Sequence, residues 1–267
     1  MTDDWGDLAG IGFERFRLSH KDRALFFIEN ERDFEAHLHA IRGALERNQD
    51  AERRASENIQ HMREQIDLLD PEDDGNRYHL DNHLTDMFHA SVYSDAAHSM
   101  AAVGMLAPYF ESLFVALFAA IRKEMADDAK TGLRHKSFQD LYWNPQAVIK
   151  GSETKPDLVR GIKELATDLG LAPYLPTDCE TTLTALFAYR NNMFHNGFEW
   201  PLDARRRFQS RLSAWPKDWF SQSSQDNEPW IFYMSEKFIA HCLRMIDQVL
   251  EGVGKFLEDR EPKQVVQ

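Results

Sequence analysis

Apolar residues from Phe34 onward fall at Phe34, Leu38, Ile41 and Leu45, then at Ala55, Ile59, Met62, Ile66 and Leu69, with Asn48 and Glu52 filling the missing steps. Alternating spacings of four and three stack side chains on one helical face, so the segment predicts a long amphipathic helix. It is one helix of about ten turns, or two broken near Asn48. Asp70-Pro71-Glu72-Asp73-Asp74-Gly75 ends it. A second helix is expected from about Asn76 to Ser94. A third, very apolar, carries Val103, Leu106, Phe110, Leu113, Phe114, Leu117, Phe118 and Ile121, with Pro108 as a kink or as its true start.

Asp127 to Lys155 shows no clean period and reads as an irregular connection. Pro156 then suits a first helical position ahead of Leu158, Ile162, Leu165 and Leu169, with Gly170 as the stop. Thr177-Asp178-Cys179-Glu180 has the form of a capping box, in which the Thr hydroxyl and the Glu carboxylate satisfy orphan backbone amides. The helix it opens carries Leu183, Leu186, Phe187, Tyr189 and Phe194 and stops at Asn196-Gly197. A last helix is expected from about Pro229 to Leu257, with Cys242, Ile246, Val249, Leu250 and Val253 buried. Sustained strand-like alternation is missing, so the expected fold is all-α.

Composition adjusts this picture. Of 267 residues, 43% are hydrophobic and 12% aromatic, enough for a sizeable core. The 44 acidic residues against 31 Lys and Arg give a net charge of -13, which argues against a general nucleic-acid coat. Two cysteines, Cys179 and Cys242, are too few for a disulfide framework and are expected in the core. The start Met1-Thr2-Asp3-Asp4 lacks a basic-then-apolar signal, so a cytoplasmic protein is expected. The longest uninterrupted apolar run, Leu113 to Ile121, is nine residues, against the roughly 20 of a membrane span.

Chemistry concentrates in Phe187-Ala188-Tyr189-Arg190-Asn191-Asn192-Met193-Phe194-His195-Asn196-Gly197. Arg-x4-His also occurs at Arg15 to His20 and at Arg32 to His37, but only the Arg190 copy has Asn after the Arg, a capped apolar helix before it and an Asn-Gly stop after it. This segment resembles the signature of the HEPN superfamily, with Arg190, Asn191 and His195 at its motif positions. The resemblance covers roughly the last 160 residues and implies a small up-and-down helical bundle over 98–260, behind an N-terminal helical extension, 1–97, that it does not cover. It further implies a homodimer that cuts RNA without a metal or cofactor, using Arg and His of both subunits in a shared cleft. A toxin or defence effector, held by an antitoxin or regulatory protein, is the role it implies.

In such a reaction the 2'-hydroxyl attacks the adjacent phosphorus, and protons must leave that oxygen and reach the departing 5'-oxygen. Histidine suits both transfers. Arg190 would grip phosphate oxygens, and Asn191 would orient the imidazole or donate to phosphate. On an unbroken helix Arg190 and His195 lie about 140° apart, so they converge only if the helix ends near Phe194 or if two copies meet. Between Pro201 and Trp219, Arg205, Arg206, Arg207, Arg211 and Lys217 outnumber Asp203 and Asp218, with Phe208, Trp215 and Trp219 among them. Arginines grip phosphates and aromatic faces stack bases, so Arg205, Arg206, Arg207 and Arg211 form the candidate RNA contact. The alternative is a solvated helix face. His79 and His83, two helical steps of four with Met87, read as a surface pair, and Glu111 as solvent-facing or as an orienter of Arg190. The competing functions are a non-catalytic module that binds a nucleotide or a partner protein, and a plain helical scaffold.

Overall fold

The computed structural model describes residues 18–28, 32–70, 74–125, 139–150 and 153–261, and these are mostly helical. In chain order they form α1 (His20–Ile28), α2 (Phe34–Asp67), α3 (Asp74–Met125), α4 (Gln139–Tyr142), β1 (Ala147–Lys150) and β2 (Glu153–Pro156). Then come α5 (Leu158–Asp168), α6 (Cys179–Asn196), α7 (Leu202–Leu212), β3 (Phe220–Gln225), β4 (Glu228–Met234) and α8 (Glu236–Arg260).

The apolar seam that starts at Phe34 is one helix of 34 residues, opened by Asp33, whose carboxylate accepts the Ala36 amide at 2.8 Å. Where two helices were expected after it, α3 runs unbroken for 52 residues with Pro108 inside. Pro108 sits on the exposed side of α3. The carbonyl of Gly104, one turn back, loses its amide partner there and not in the core, so water can serve it. The buried face does the rest: Leu106, Phe110, Leu113, Phe114, Leu117, Phe118 and Ile121 are all 0% exposed. By length and composition alone one 18-residue window of this helix, with mean hydropathy 1.7, suffices to cross a membrane, correcting the expectation drawn from the longest apolar run. In the fold 56% of that window is buried, as in a core helix.

The expected boundary at 97/98 falls inside α3. Ala24, Leu25 and Ile28 of α1 and Phe34, Leu38 and Leu45 of α2 belong to the same apolar cluster as α6 and α8. Backbone contact makes α1 and α8 inseparable: a Cβ on Gly254 would lie 1.9 Å from the His20 carbonyl oxygen, so only hydrogen fits. The His20 imidazole bridges Glu251 at 2.7 Å and Glu258 at 2.8 Å. These two carboxylates raise its pKa above the usual histidine value.

The described residues are mostly helical, as the all-α expectation has it, with two short hairpins set among the helices. β1 and β2 pair antiparallel from Ala147↔Pro156 to Lys150↔Glu153, largely inside the segment expected to be irregular, and residues 127–138 and 151–152 of that segment lie outside the described ones. Pro156 closes β2, and the cap of α5 is Asp157, whose carboxylate accepts the Arg160 amide. β3 and β4 pair from Phe220↔Met234 to Gln225↔Glu228. Asp226 and Asn227, at φ 53° and 63°, form the two-residue turn whose twist suits a hairpin. Pro229 to Met234 is therefore strand, and the last helix starts at Glu236, capped by Ser235, whose hydroxyl accepts the Phe238 amide at 3.1 Å. Trp230, Ile231, Phe232 and Tyr233 are residue types that fit a half-buried pleated surface.

Candidate functional site

α6 buries Leu183, Leu186, Tyr189 and Met193 at 0–1% exposure. These residues fix its rotation, because three- and four-residue steps put them on one face. The Tyr189 hydroxyl donates to the Phe232 carbonyl at 3.0 Å, tying α6 to β4. At its start the expected capping box does not form. The helix begins at Cys179, Asp178 makes no side-chain cap, and Glu180 pairs with Lys163 of α5 at 2.8 Å. At its end Gly197 adopts φ 71°, and the Trp200 indole donates to the Gly197 carbonyl at 2.9 Å, pinning the turn. Cys179 and Cys242 are buried thiols whose pKa values burial pushes up, the former to about 12. They are unreactive core residues.

With the core face fixed, the remaining arc carries the motif. Counting about 100° per residue from Arg190, Phe194 lies near 40°, Asn191 near 100° and His195 near 140°. α6 continues to Asn196, so an early helix end does not bring Arg190 to His195. The Arg190 side chain partly closes the arc instead: its guanidinium donates to Asn191 Oδ1 at 3.2 Å and lies 5.9 Å from the centre of the Phe194 ring. Asn191 and His195 are exposed and Arg190 is half-buried. Phe194, 51% exposed, rests against α3, where a Cβ on Gly104 would stand 3.3 Å from its Cζ. Asn192 and Asn196 spend their amides on backbone carbonyls one turn back, at 2.8 and 3.0 Å. Asn191 alone of the three presents its amide outward.

The same arc of α6 forms one wall of a groove of about 700 Å³. Asn191 and Thr184 line it from α6, Arg160 and Lys163 from α5, and Arg211 from the end of α7. Asn191 and Arg211, expected in two separate roles, thus face one space. Two of its cations are already paired, Arg160 with Glu164 at 2.9 Å and Lys163 with Glu180. The sequence analysis missed the α5 wall, since its Arg and Lys read as an ordinary solvated face.

The basic segment is only partly available. The Arg205 guanidinium donates to the Pro229 carbonyl at 2.7 Å, and Arg206 forms a two-pronged pair with Glu228 at 2.6 and 3.3 Å. Both arginines brace the β3–β4 hairpin. Arg207 and Arg211 are exposed and make no ion pair among the described residues. Phe208, Trp215 and Trp219 are 1%, 7% and 6% exposed, packed in the core, so the expected stacking of bases on them does not hold. Glu111 is hydrogen-bonded by the Gln146 amide and does not orient Arg190. His79 and His83 are exposed on α3. No family model, curated protein or solved structure matches this chain.

Proposed function

We propose that the chain is a metal-independent endoribonuclease of the HEPN kind. Its bundle, on this reading, is the HEPN-like one, and Arg190, Asn191 and His195 act on single-stranded RNA at the end of the α6 groove. The reading is supported by one observation above others: Asn191 and Arg211 line a common groove, and His195 lies one turn further along the same exposed helix face. A strand laid along α6 meets Arg211 as a phosphate contact before it reaches the motif. Arg207 extends the contact, while Arg205 and Arg206 hold the hairpin behind it. A net charge of -13 then confines binding to this groove.

Chemically, one His takes the proton from the 2'-oxygen as its bond to phosphorus forms, and a proton returns to the 5'-oxygen as its bond to phosphorus breaks. The products are a 2',3'-cyclic phosphate and a 5'-hydroxyl. Arg190 stabilises the added charge on phosphorus-bound oxygens. A homodimer supplies the second His, since a single α6 presents one; its two-fold axis sets the same helix end of each copy opposite the other. Toxin or defence-effector action in the cytoplasm, restrained by an antitoxin or regulatory protein, is part of the same proposal.

A second reading is a non-catalytic module for a partner protein, favoured by the pairing of Arg160 and Lys163 within the groove. Incubating the full chain with RNA in EDTA separates the two. Cleavage leaving 2',3'-cyclic ends supports the enzyme. Intact RNA, or fragments with 3'-hydroxyl ends, refutes the mechanism.

A further inference from the structure

Glu52 occupies the point where α2 changes character. Before it, Phe34, Leu38 and Leu45 are 2–4% exposed. After it, Ala55, Ile59 and Met62 are only half-buried, and burial returns only at Ile66, 6% exposed. Little apolar burial therefore holds α2 between Glu52 and Ile66, and polar contacts at the junction decide how firmly that stretch closes.

The junction is a knot of acids. Glu52 faces Asp95 and His98 of α3 and Glu236 at the start of α8, and Tyr233 of β4 lies beside Asp95. His98 Nδ1 is 3.4 Å from Glu52 Oε1, its side chain is 7% exposed, and this nitrogen makes no hydrogen bond. Among the described residues neither Lys nor Arg pairs with Glu52, Asp95 or Glu236. Glu52 thus meets a buried imidazole within electrostatic reach of carboxylates on α3 and α8, while Lys237 and Arg244 of α8 line the pocket beside Gln49 and Glu236 without pairing with these acids. One proton changes that balance. Placed on Glu52, it removes a negative charge and gives His98 Nδ1 a donor.

We propose that this cluster is a proton-dependent latch: α2 closes on α3 and α8 while the cluster holds a proton, and loosens outward from Gln49 when that proton leaves. The shifts agree in direction with the geometry. Burial, then Asp95 and Glu236, lift the Glu52 carboxyl to about 7. Burial raises Asp95 and lowers His98, so the proton resides on the carboxyl and the imidazole stays neutral. Because the folded Glu52 pKa lies above its unfolded value, its contribution is full below the unfolded pKa and is lost as pH rises through 7. The latch does not depend on the nuclease reading.

Amide hydrogen exchange of the full chain at about pH 6 and about pH 8, corrected for intrinsic rates, tests it. Residues 49–58 of the wild type should open about tenfold more readily at the higher pH, while α5 is unchanged. Glu52→Gln, an uncharged near-isostere, should keep those residues protected at both pH values. Glu236→Gln, acting from α8, removes a charge that lifts the Glu52 carboxyl, so it should move the opening to lower pH and narrow the difference between the two pH values. Equal protection of 49–58 at both pH values in the wild type overturns the latch, and so does a Glu52→Gln protein that opens with pH as the wild type does.

Discussion

Replacing His195 by Ala separates chemistry from folding, because the structure assigns His195 almost no structural work. It is exposed, at the last turn of α6, without a hydrogen bond or ion pair among the described residues. Its stabilising role is then the interaction of a basic side chain with a helix C-terminus, about 0.3–1 kcal/mol when charged. Alanine returns a few tenths of that through helix propensity. An unfolding entropy of about 2.1 cal/mol/K per residue over 267 residues gives roughly 0.6 kcal/mol/K, so the melting temperature should fall by less than about 2 °C. Loss of a proton-transfer group should slow RNA cleavage by about 10²- to 10⁴-fold, or roughly 3–5 kcal/mol of barrier. Met193→Ala, two residues away, is the counterpart. Met193 is 0% exposed, and its truncation costs about 2–5 kcal/mol, lowering the melting temperature by several degrees. Calorimetry and single-turnover cleavage of a short labelled RNA supply both readouts. If His195→Ala cuts RNA at the wild-type rate, or loses activity only in proportion to folded protein, the assignment of His195 is wrong.

Arg211→Gln should weaken RNA binding and flatten its salt dependence by about one phosphate contact, whereas Arg206→Gln should lower the melting temperature slightly through the lost Glu228 pair and leave the salt slope alone. Equal slopes in salt titrations of the two proteins would remove Arg211 from the interface. Gly161→Ala should destabilise by about 3 kcal/mol or more, because its Cβ would lie 2.0 Å from the Pro145 carbonyl oxygen and α5 must retreat from β1; an unchanged denaturation midpoint would contradict that packing. The His20 pKa is raised by Glu258 and Glu251, so the clamp of α1 on α8 is at full strength below the unfolded histidine pKa and is lost as pH rises through the folded one. His20→Gln should therefore remove a pH dependence of α1 exchange above the unfolded histidine pKa, and a wild type with flat α1 protection across that range would disprove the clamp.

Periodicity told most where one face of an element carries apolar residues at regular steps along its length. The seam from Phe34 and the α8 residues Cys242 to Leu257 were legible for that reason. It misled where the core surrounds an element or where tertiary contact overrules a local signal. Pro108 reads as a break, but a helix whose Leu, Phe and Ile side chains are fully buried tolerates one missing bond on its wet side. Only Ser235 separates the strand Glu228–Met234 from α8, so its apolar run merged with the helical one. Asp226-Asn227 was the available signal, since two residues that accept positive φ in sequence mark a hairpin turn.

The site was legible as residue types and not as an arrangement. Arg190, Asn191 and His195 are spaced so that a continuous helix spreads them over an arc, and nothing in the spacing says how far a flexible guanidinium leans. The structure shows it leaning over Phe194 to Asn191. Arg205 to Arg211 posed the opposite problem, because four arginines in seven positions of one helix cannot all face one way. At about 100° per residue Arg207 and Arg211 share a face, while Arg205 and Arg206 turn from it. The hairpin takes the second pair through Pro229 and Glu228, and the groove beside Asn191 takes Arg211. Charge counting along the chain sees only the sum. Division of the arginines between bracing a strand and facing a groove follows from helix period, and it leaves the strongly acidic protein with a small cationic surface on the α6 side.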